Sequence, residues 1–156
     1  MRVGLLGVLE VHDDEDREIP VTGAKLRALL AILALHVGRV VPTEQLVDAL
    51  WGEQPPQGVR NSLQGLASKL RRSLGAAELV AMRGGGYVLD LPPEAVDVQR
   101  FDRLVAAARE ATASGHLEGA RRLLVEAEAL WRGEALADLA YEDVAAGAIT
   151  RLTEQR

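Results

Sequence analysis

The 156-residue sequence is 48% hydrophobic, which is enough apolar material for one ordinary domain or two small ones. It contains no cysteine, which excludes disulfides, thiolate nucleophiles and zinc sites built on sulfur. Because the formal net charge is −5, a nucleic-acid-binding surface would have to be a local basic patch and not a property of the whole chain.

A small antiparallel sheet followed by two helices is predicted at the N-terminus. Residues 2–11 are predicted as a strand, and the acidic turn HDDED separates them from a second extended run, REIPV. Thr22 is placed to cap the first helix, which is stopped by Gly38, and Thr43 to cap the second, which is stopped by Gly52. The apolar residues at helical spacing in these helices are Leu26, Leu29, Leu30, Leu33, Val37, Leu46, Val47, Leu50 and Trp51.

The third predicted helix, residues 57–74, has two different faces. Its core face is apolar and consists of Val59, Leu63, Leu66, Ala67, Leu70 and Leu74. A second face carries amides, a hydroxyl and arginines without any acid, at Asn61, Gln64, Ser68, Arg71 and Arg72. Such side chains hydrogen-bond base edges and phosphates, whereas a face that serves only solubility more often mixes both signs of charge. Gly65 costs this helix about 1 kcal/mol relative to Ala, and a close approach to another backbone is one reason that would explain it.

Positive charge is concentrated in residues 57–83. These residues include five bases and one acid, a local net charge of +4 in an acidic chain. A patch of this kind is the electrostatic feature of a nucleic-acid binder, although clustered charges alone are more often a solvated helix face. The charge therefore supports a nucleic-acid interface only together with the polar face of the third helix.

A β-hairpin is predicted in the stretch LVAMRGGGYVLDLP. Residues 79–83 and 87–91 are its strands, and Gly84, Gly85 and Gly86 supply the positive φ values of a tight turn, with Arg83 at its base. A plain hairpin that closes a small sheet explains this stretch as well as a functional one does. A phosphate-binding loop is excluded because neither glycine-rich nucleotide motif is present.

From residue 93 onward the sequence is rich in alanine and predicts helices. The first has an apolar face at Phe101, Leu104, Val105 and Ala108, and the second, after the turn SGHLEG, has one at Leu117, Ala120, Leu124, Ala127 and Trp131. A last helix is predicted to begin near Tyr141. Such helix pairs resemble tetratricopeptide repeats, which need about three repeats to be stable. Since only one pair and part of a second are present, we expect an incomplete domain whose last helix lacks the partner that would bury it.

In this order and spacing, five stretches resemble the Streptomyces antibiotic regulatory protein family across roughly the whole chain. They are MRVGLLGVLEV, KLRALLAILALHVGRVVPTEQLVDALWG, RNSLQGLASKLRRSLG, RGGGYVLDL and VDVQRFDRLVAAAREA. The family joins an OmpR-like winged-helix domain, here residues 1–92, to a helical bacterial transcriptional activation domain, here residues 93–156. The implied fold is an α+β winged helix, with an N-terminal antiparallel sheet, three helices and a C-terminal hairpin wing, followed by an all-α tetratricopeptide-like domain.

The resemblance implies a sequence-specific activator of a secondary-metabolite gene cluster. It would bind direct repeats in double-stranded promoter DNA and recruit RNA polymerase through the sigma subunit. Because a single domain of this size offers few contacts, two copies side by side on such repeats are expected. The third helix would then be the recognition helix, with base contacts from Asn61, Gln64, Ser68 and Arg72 and phosphate contacts from Arg60, Lys69 and Arg71, although Arg71 and Arg72 could exchange roles. In the wing, Arg83 and the backbone of the three glycines, Gly84 to Gly86, would lie beside the minor groove or adjacent phosphates.

Several residues have an ordinary structural explanation beside the functional one. Lys25 and Arg27, at the start of the first helix, could reach a phosphate, but two solvated basic side chains are the more common explanation. Tyr87 would either pack under the wing or contact DNA. Large aromatic residues at helical spacing usually pack, so Trp51 and Trp131 are predicted to belong to the core.

Two other function classes explain less of the sequence than a DNA-binding activator does. A helical-repeat scaffold for protein contacts explains only the region after residue 92. An enzyme explains least, because the three histidines lack metal-type pairing and no serine lies in a nucleophile elbow, so neither a catalytic site, a metal nor a cofactor is predicted. No uncharged apolar run approaches the roughly 18 residues that span a bilayer, and the start is not a signal peptide; a soluble cytoplasmic protein without membrane contact is expected.

Overall fold

The computed structural model describes residues 1–139 and 143–156, which form five strands and six helices. The strands are β1 Arg2–Gly4, β2 Glu10–His12, β3 Val41–Pro42, β4 Val80–Arg83 and β5 Gly86–Leu89. The helices are α1 Ala24–Leu35, α2 Thr43–Trp51, α3 Val59–Leu74, α4 Asp97–Ala113, α5 Leu117–Ala129 and α6 Asp143–Gln155. Short 3₁₀ turns cover Ala77–Leu79, Pro93–Ala95 and Ala137–Leu139. The predicted helix start near Tyr141 lies outside the described residues.

The N-terminal sheet differs from the prediction. Residues 2–11 are not one strand, because β1 and β2 pair antiparallel with each other, Val3 opposite Val11, and residues 5–9 form the loop between them. The run REIPV contributes only one isolated bridge, between Glu18 and His12. The sequence did not reveal the loop between β1 and β2, because its residues Leu5, Leu6 and Leu9 are apolar and buried, as the residues of a strand would be.

The second sheet has the strand order β3–β5–β4, with β5 antiparallel to both neighbours. It lies on α1, whose C-terminal end is joined to it by the Gly38 N–H, which donates to the Leu89 carbonyl at 3.0 Å. All four residues of β5 are buried. The hairpin β4–β5 is thus anchored at its base by the core and exposed at its tip.

Helix α1 forms the centre of the molecule. Eight of its twelve residues are buried, because it contacts α2, α3 and β5 on one side and α6 on another. Neither predicted threonine cap forms: α1 begins after Gly23, which has a φ of +100°, and the Thr43 hydroxyl lies inside α2 and donates to the Gly85 carbonyl. Threonine is a common capping residue, so the sequence favoured both caps. The start of α1 at Gly23 and the bond from Thr43 to the wing depend on the three-dimensional structure and could not be predicted from this preference.

The helical region consists of the antiparallel pair α4 and α5 together with α6. The Phe101 and Trp131 rings meet edge to face at 5.5 Å, which confirms Trp131 as a packing residue. Two residues of the predicted apolar face of α5 are not buried, since Leu117 is 67% and Leu124 is 50% exposed. The small residues Ala120 and Ala127 make the contact instead, because they let the two helices approach closely.

Helix α6 has a partner, contrary to the expectation of an unburied last helix. It packs across α1 and α2, and Leu152 is completely buried there. The partner was not recognised in the sequence because it belongs to the winged helix and not to the helical region. No described helix is long and apolar enough to cross a membrane.

The loop of residues 5–9 joins the winged helix to the helical region. The Asp97 carboxylate accepts hydrogen bonds from the backbone N–H groups of Leu5 and Leu6 at 2.8 and 3.0 Å, and the Arg132 guanidinium lies 3.9 Å from the same carboxylate. Burial raises the pKa of Asp97, and these hydrogen bonds only partly oppose that effect. We call these residues, together with Arg27 and Asp138, the junction.

Candidate nucleic-acid interface

Helix α3 is framed by glycines and held by one apolar face. Gly58 precedes it and Gly75 follows it, both in the left-handed conformation with φ of +67° and +68°. Its buried residues, Leu63, Ala67, Leu70 and Leu74, recur at three- and four-residue steps and pack on α1 and α2. With this face fixed in the core, the opposite face must point to solvent.

The solvent face of α3 carries the predicted DNA-reading residues, and we call it the polar face. All of its members are exposed: Arg60, Asn61, Gln64, Gly65, Ser68, Lys69 and Arg72. Within the described residues, Arg60, Lys69 and Arg72 form no ion pair with a carboxylate. Three cations therefore lie beside two amides and a hydroxyl with their hydrogen-bond donors available to a ligand.

Arg71 is used differently from its neighbour Arg72. It is half-buried, and its Nε donates to the Val80 carbonyl at 2.8 Å, which ties the end of α3 to β4. From the sequence, the roles of the two arginines were interchangeable. In the structure, Arg71 is bonded to β4, whereas Arg72 is exposed on the polar face. Arg71 is therefore less available to a phosphate than Arg72, and its predicted phosphate contact stays a prediction.

The wing tip is built by Gly84 and Gly85, with φ of +50° and +78°. The prediction that all three glycines supply positive φ is wrong for Gly86, which belongs to β5. A Cβ on Gly86 would lie 2.1 Å from the Val41 carbonyl oxygen, so this glycine is required by the close pairing of β3 with β5. The Gly85 carbonyl accepts bonds from the Thr43 N–H and hydroxyl, at 3.1 and 2.9 Å, which fixes the tip against the start of α2.

Arg83 lies at the base of the wing tip with its side chain 56% exposed. Its guanidinium contacts the Asp90 carboxylate at 3.3 Å, and that carboxylate is equally exposed. An exposed pair of this kind contributes about 0–1 kcal/mol. Arg83 can consequently exchange this partner for a phosphate at little cost.

A groove of about 690 Å³ separates α3 from the wing. Arg60 and Gln64 line it from α3, and Met82 and Arg83 line it from β4, together with the glycine tip. Tyr87 lies at its floor and is only 3% exposed, so the ring packs under the wing as one of its two predicted alternatives requires. The polar face and the wing tip thus border one continuous concave surface.

The two basic residues at the start of α1 do not belong to this surface. The Arg27 guanidinium donates to the Asp138 carboxylate at 2.8 Å, to the Val21 carbonyl at 2.7 Å and to the Leu9 carbonyl at 2.6 Å. These bonds use three of its N–H donors within the chain, so Arg27 is held at the junction and its predicted phosphate contact stays a prediction.

Lys25 is also positioned away from the wing. Its Nζ donates to the Leu50 carbonyl at 2.6 Å and lies 5.7 Å from the centre of the Trp51 ring, at the C-terminal end of α2. The wing contacts the other end of α2, at Thr43. Lys25 is exposed, and its Nζ is held at the end of α2 opposite the wing contact, so we do not assign it to the interface and its phosphate contact stays a prediction. Trp51 is half-buried against the core, as predicted.

Among the described residues no group of three or more histidine, aspartate or glutamate side chains is arranged to hold a metal ion.

Two family descriptions match the chain: "Transcriptional regulatory protein, C terminal" over residues 16–89 and "Bacterial transcriptional activator domain" over residues 96–156. The chain belongs to the Streptomyces antibiotic regulatory protein family. This confirms the resemblance found in the sequence.

Individual relatives agree with this assignment. The chain is 34% identical to the regulatory protein DnrI of Streptomyces peucetius, covering all of the chain and 61% of DnrI. It is 41% identical to the regulatory protein AfsR of Streptomyces coelicolor, over 88% of the chain and 14% of AfsR. The chain therefore spans less than two thirds of these relatives. Their names are those of regulators and not of enzymes, in agreement with the predicted function class.

A solved structure supports the fold. Mycobacterium tuberculosis EmbR, in complex with a low affinity phosphopeptide, superposes with a TM-score of 0.90 at 36% identity over 98% of this chain and 41% of EmbR. The predicted fold class, a winged helix followed by a helical domain, is confirmed.

Proposed function

We propose that this chain is a sequence-specific DNA-binding transcriptional activator that reads promoter DNA with α3. The observation that carries the proposal is the polar face: exposed amides, a hydroxyl and cations that pair with no carboxylate of the described residues, on a helix without acids, in a protein of net charge −5. Its relatives are named regulatory proteins, which agrees with this function.

In the proposed complex, α3 lies in the major groove, where each base pair presents a distinct pattern of donors and acceptors. Asn61, Gln64, Ser68 and Arg72 contact base edges, and Arg60 and Lys69 contact phosphates. Arg83 and the N–H groups of Gly84 and Gly85 contact the backbone or minor groove beside α3. Phosphate contacts supply affinity that falls with salt, and base contacts supply sequence choice.

Selection from a randomised duplex pool, followed by sequencing, tests this proposal. We expect a repeated motif to be enriched by the native protein and lost by a Lys69→Ala/Arg72→Ala variant. An Arg121→Ala/Arg122→Ala variant is the matched control, since it removes the same charge from exposed positions on α5. Circular dichroism establishes that all three proteins are folded. If the native protein enriches no sequence at low salt, or if both variants lose the motif equally, the proposal is wrong.

We further propose that two copies bind side by side on direct repeats, about one helical turn apart, because one α3 and one wing offer few contacts. The helical region would recruit RNA polymerase, through the sigma subunit, at the promoter of a secondary-metabolite gene cluster. These steps rest on family membership alone. Transcription reconstituted from a promoter that carries the selected repeats tests them, and an unchanged transcript level on adding the protein would contradict activation.

One observation favours a second function, a protein-interaction scaffold. Leu117, Leu124 and Val125 of α5 are large apolar residues that are 50–67% exposed, as in a helix that contacts another protein. The two functions are separated by the same selection experiment, because a scaffold enriches no DNA sequence.

A further inference from the structure

Gly65 occupies the middle of the polar face. It is the seventh residue of α3 and shares a face with Asn61, Ser68 and Arg72, which lie four residues before it and three and seven after it. Glycine in the interior of a helix is less favourable than alanine by about 1 kcal/mol. α3 thus carries this cost at the centre of its solvent face.

The described part of the chain supplies no reason for glycine at this position. A Cβ built on Gly65 meets no atom within 4 Å outside its own turn of helix, so no described residue needs the space. The backbone is helical and its φ is not positive. Gly65 thus differs from Gly58 and Gly75, which adopt the left-handed conformation at the ends of α3. It also differs from Gly86, where a Cβ would clash with the Val41 backbone.

We propose that Gly65 is the point of closest approach between α3 and DNA and is a determinant of sequence specificity. This inference rests on the proposed function. A missing Cβ lets a helix backbone lie directly against another surface. Here that surface is the edge of a base pair, such as the methyl group of thymine, in the floor of the major groove.

The neighbours of Gly65 support this assignment. Asn61 and Ser68 carry short side chains, which reach base edges only when the helix backbone lies deep in the groove. Arg60, Lys69 and Arg72 have long side chains and reach phosphates or bases from a greater distance. A side chain at position 65 would hold α3 away from the base pairs. It would therefore remove the contacts of the short side chains Asn61 and Ser68 first and leave the electrostatic contacts of the long basic side chains.

The test compares Gly65→Ala and Gly65→Leu with Gly147→Ala. Gly147 is a matched control, because it is also exposed, within a helix, and free of atoms within 4 Å of a built Cβ, but lies in α6. Each substitution should raise the melting temperature by about 3 °C, since each replaces glycine in a helix. Affinity for the selected site should fall about tenfold in Gly65→Ala and further in Gly65→Leu. Affinity for random duplex should stay unchanged, and Gly147→Ala should bind like the native protein.

The outcomes separate this inference from the proposed function. If Gly65→Ala is more stable and binds the selected site as tightly as the native protein does, Gly65 is not the point of approach, while DNA reading by α3 stands. Equal losses on selected and random duplex would also overturn the inference, because they would show a general loss of docking. If the native protein selects no sequence, both proposals are wrong together.

Discussion

The polar face of α3 and the junction use the same kinds of charged residue in opposite ways. At the junction, each charge has partners in the chain: the Arg27 guanidinium makes three hydrogen bonds, and the Asp97 carboxylate accepts two. On the polar face, Lys69 and Arg72 have no carboxylate partner among the described residues. A charged side chain that has hydrogen-bond partners within the protein stabilises the fold, whereas one without such a partner is available to a ligand.

The largest effect is expected from Asp97→Ala at the junction. The substitution leaves the N–H groups of Leu5 and Leu6 without an acceptor in a partly buried loop, so the free energy of unfolding should fall by about 3 kcal/mol. Urea denaturation measures the change. The folded protein should still bind the selected DNA normally, because Asp97 lies at the junction and not on α3 or the wing. A loss of stability below about 0.5 kcal/mol would show that the junction is not held by this carboxylate.

The neighbouring arginines Arg71 and Arg72 sharpen the comparison within one helix. Arg72→Ala should weaken binding to the selected site by about 2 kcal/mol, because the proposed bidentate contact to a base would be lost, and should leave stability unchanged, because Arg72 is exposed. Arg71→Ala should lower stability by about 1 kcal/mol, since the bond from its Nε to the Val80 carbonyl is lost. Titration of labelled duplex and thermal unfolding of both variants provide the two measurements. The opposite pattern would exchange the roles of the two residues.

These adjacent arginines also show how much of the molecule the sequence could predict. Helical spacing placed the core face of α3 correctly, and the polar face followed from it, because both depend on contacts between near neighbours in the chain. Whether an arginine on that face is open or anchored depends on Val80, nine residues away across a turn. Periodicity carries no information about such a partner.

The junction was not predictable for the same reason at a larger scale. Arg27 meets Asp138 across 111 residues, and Leu5 meets Asp97 across 92. In the sequence, Arg27 was indistinguishable from a solvated cation that could reach a phosphate. Nothing in the sequence around Asp97 indicates that its carboxylate accepts hydrogen bonds from the N–H groups of Leu5 and Leu6. The exposed side of α5 was missed because leucine at helical spacing normally indicates a buried face.

A smaller effect is expected from pH at the junction. Burial raises the pKa of Asp97 in the folded state above its ordinary value of 3.8. The folded state therefore binds this proton more tightly than the unfolded state, so the contribution of Asp97 to stability falls as pH rises from about 3.8 through the folded pKa. The difference in unfolding free energy between the native protein and Asp97→Asn should decrease over that interval. A difference that increases with pH would mean that the hydrogen bonds from Leu5 and Leu6 outweigh burial.

The smallest effect is expected from Arg83→Ala in the wing, where one exposed cation is only partly paired. Losing a single phosphate contact should weaken binding a few-fold at low salt, equally on selected and random duplex, and should reduce the slope of log affinity against log salt by about 1. Stability should change by less than about 0.5 kcal/mol, because the contact with Asp90 is exposed. Asp90→Asn is the complementary variant: it frees Arg83 from its partner and should strengthen binding slightly. A loss confined to the selected site in Arg83→Ala would instead make this arginine a reader of base edges, and the wing would then share sequence recognition with α3.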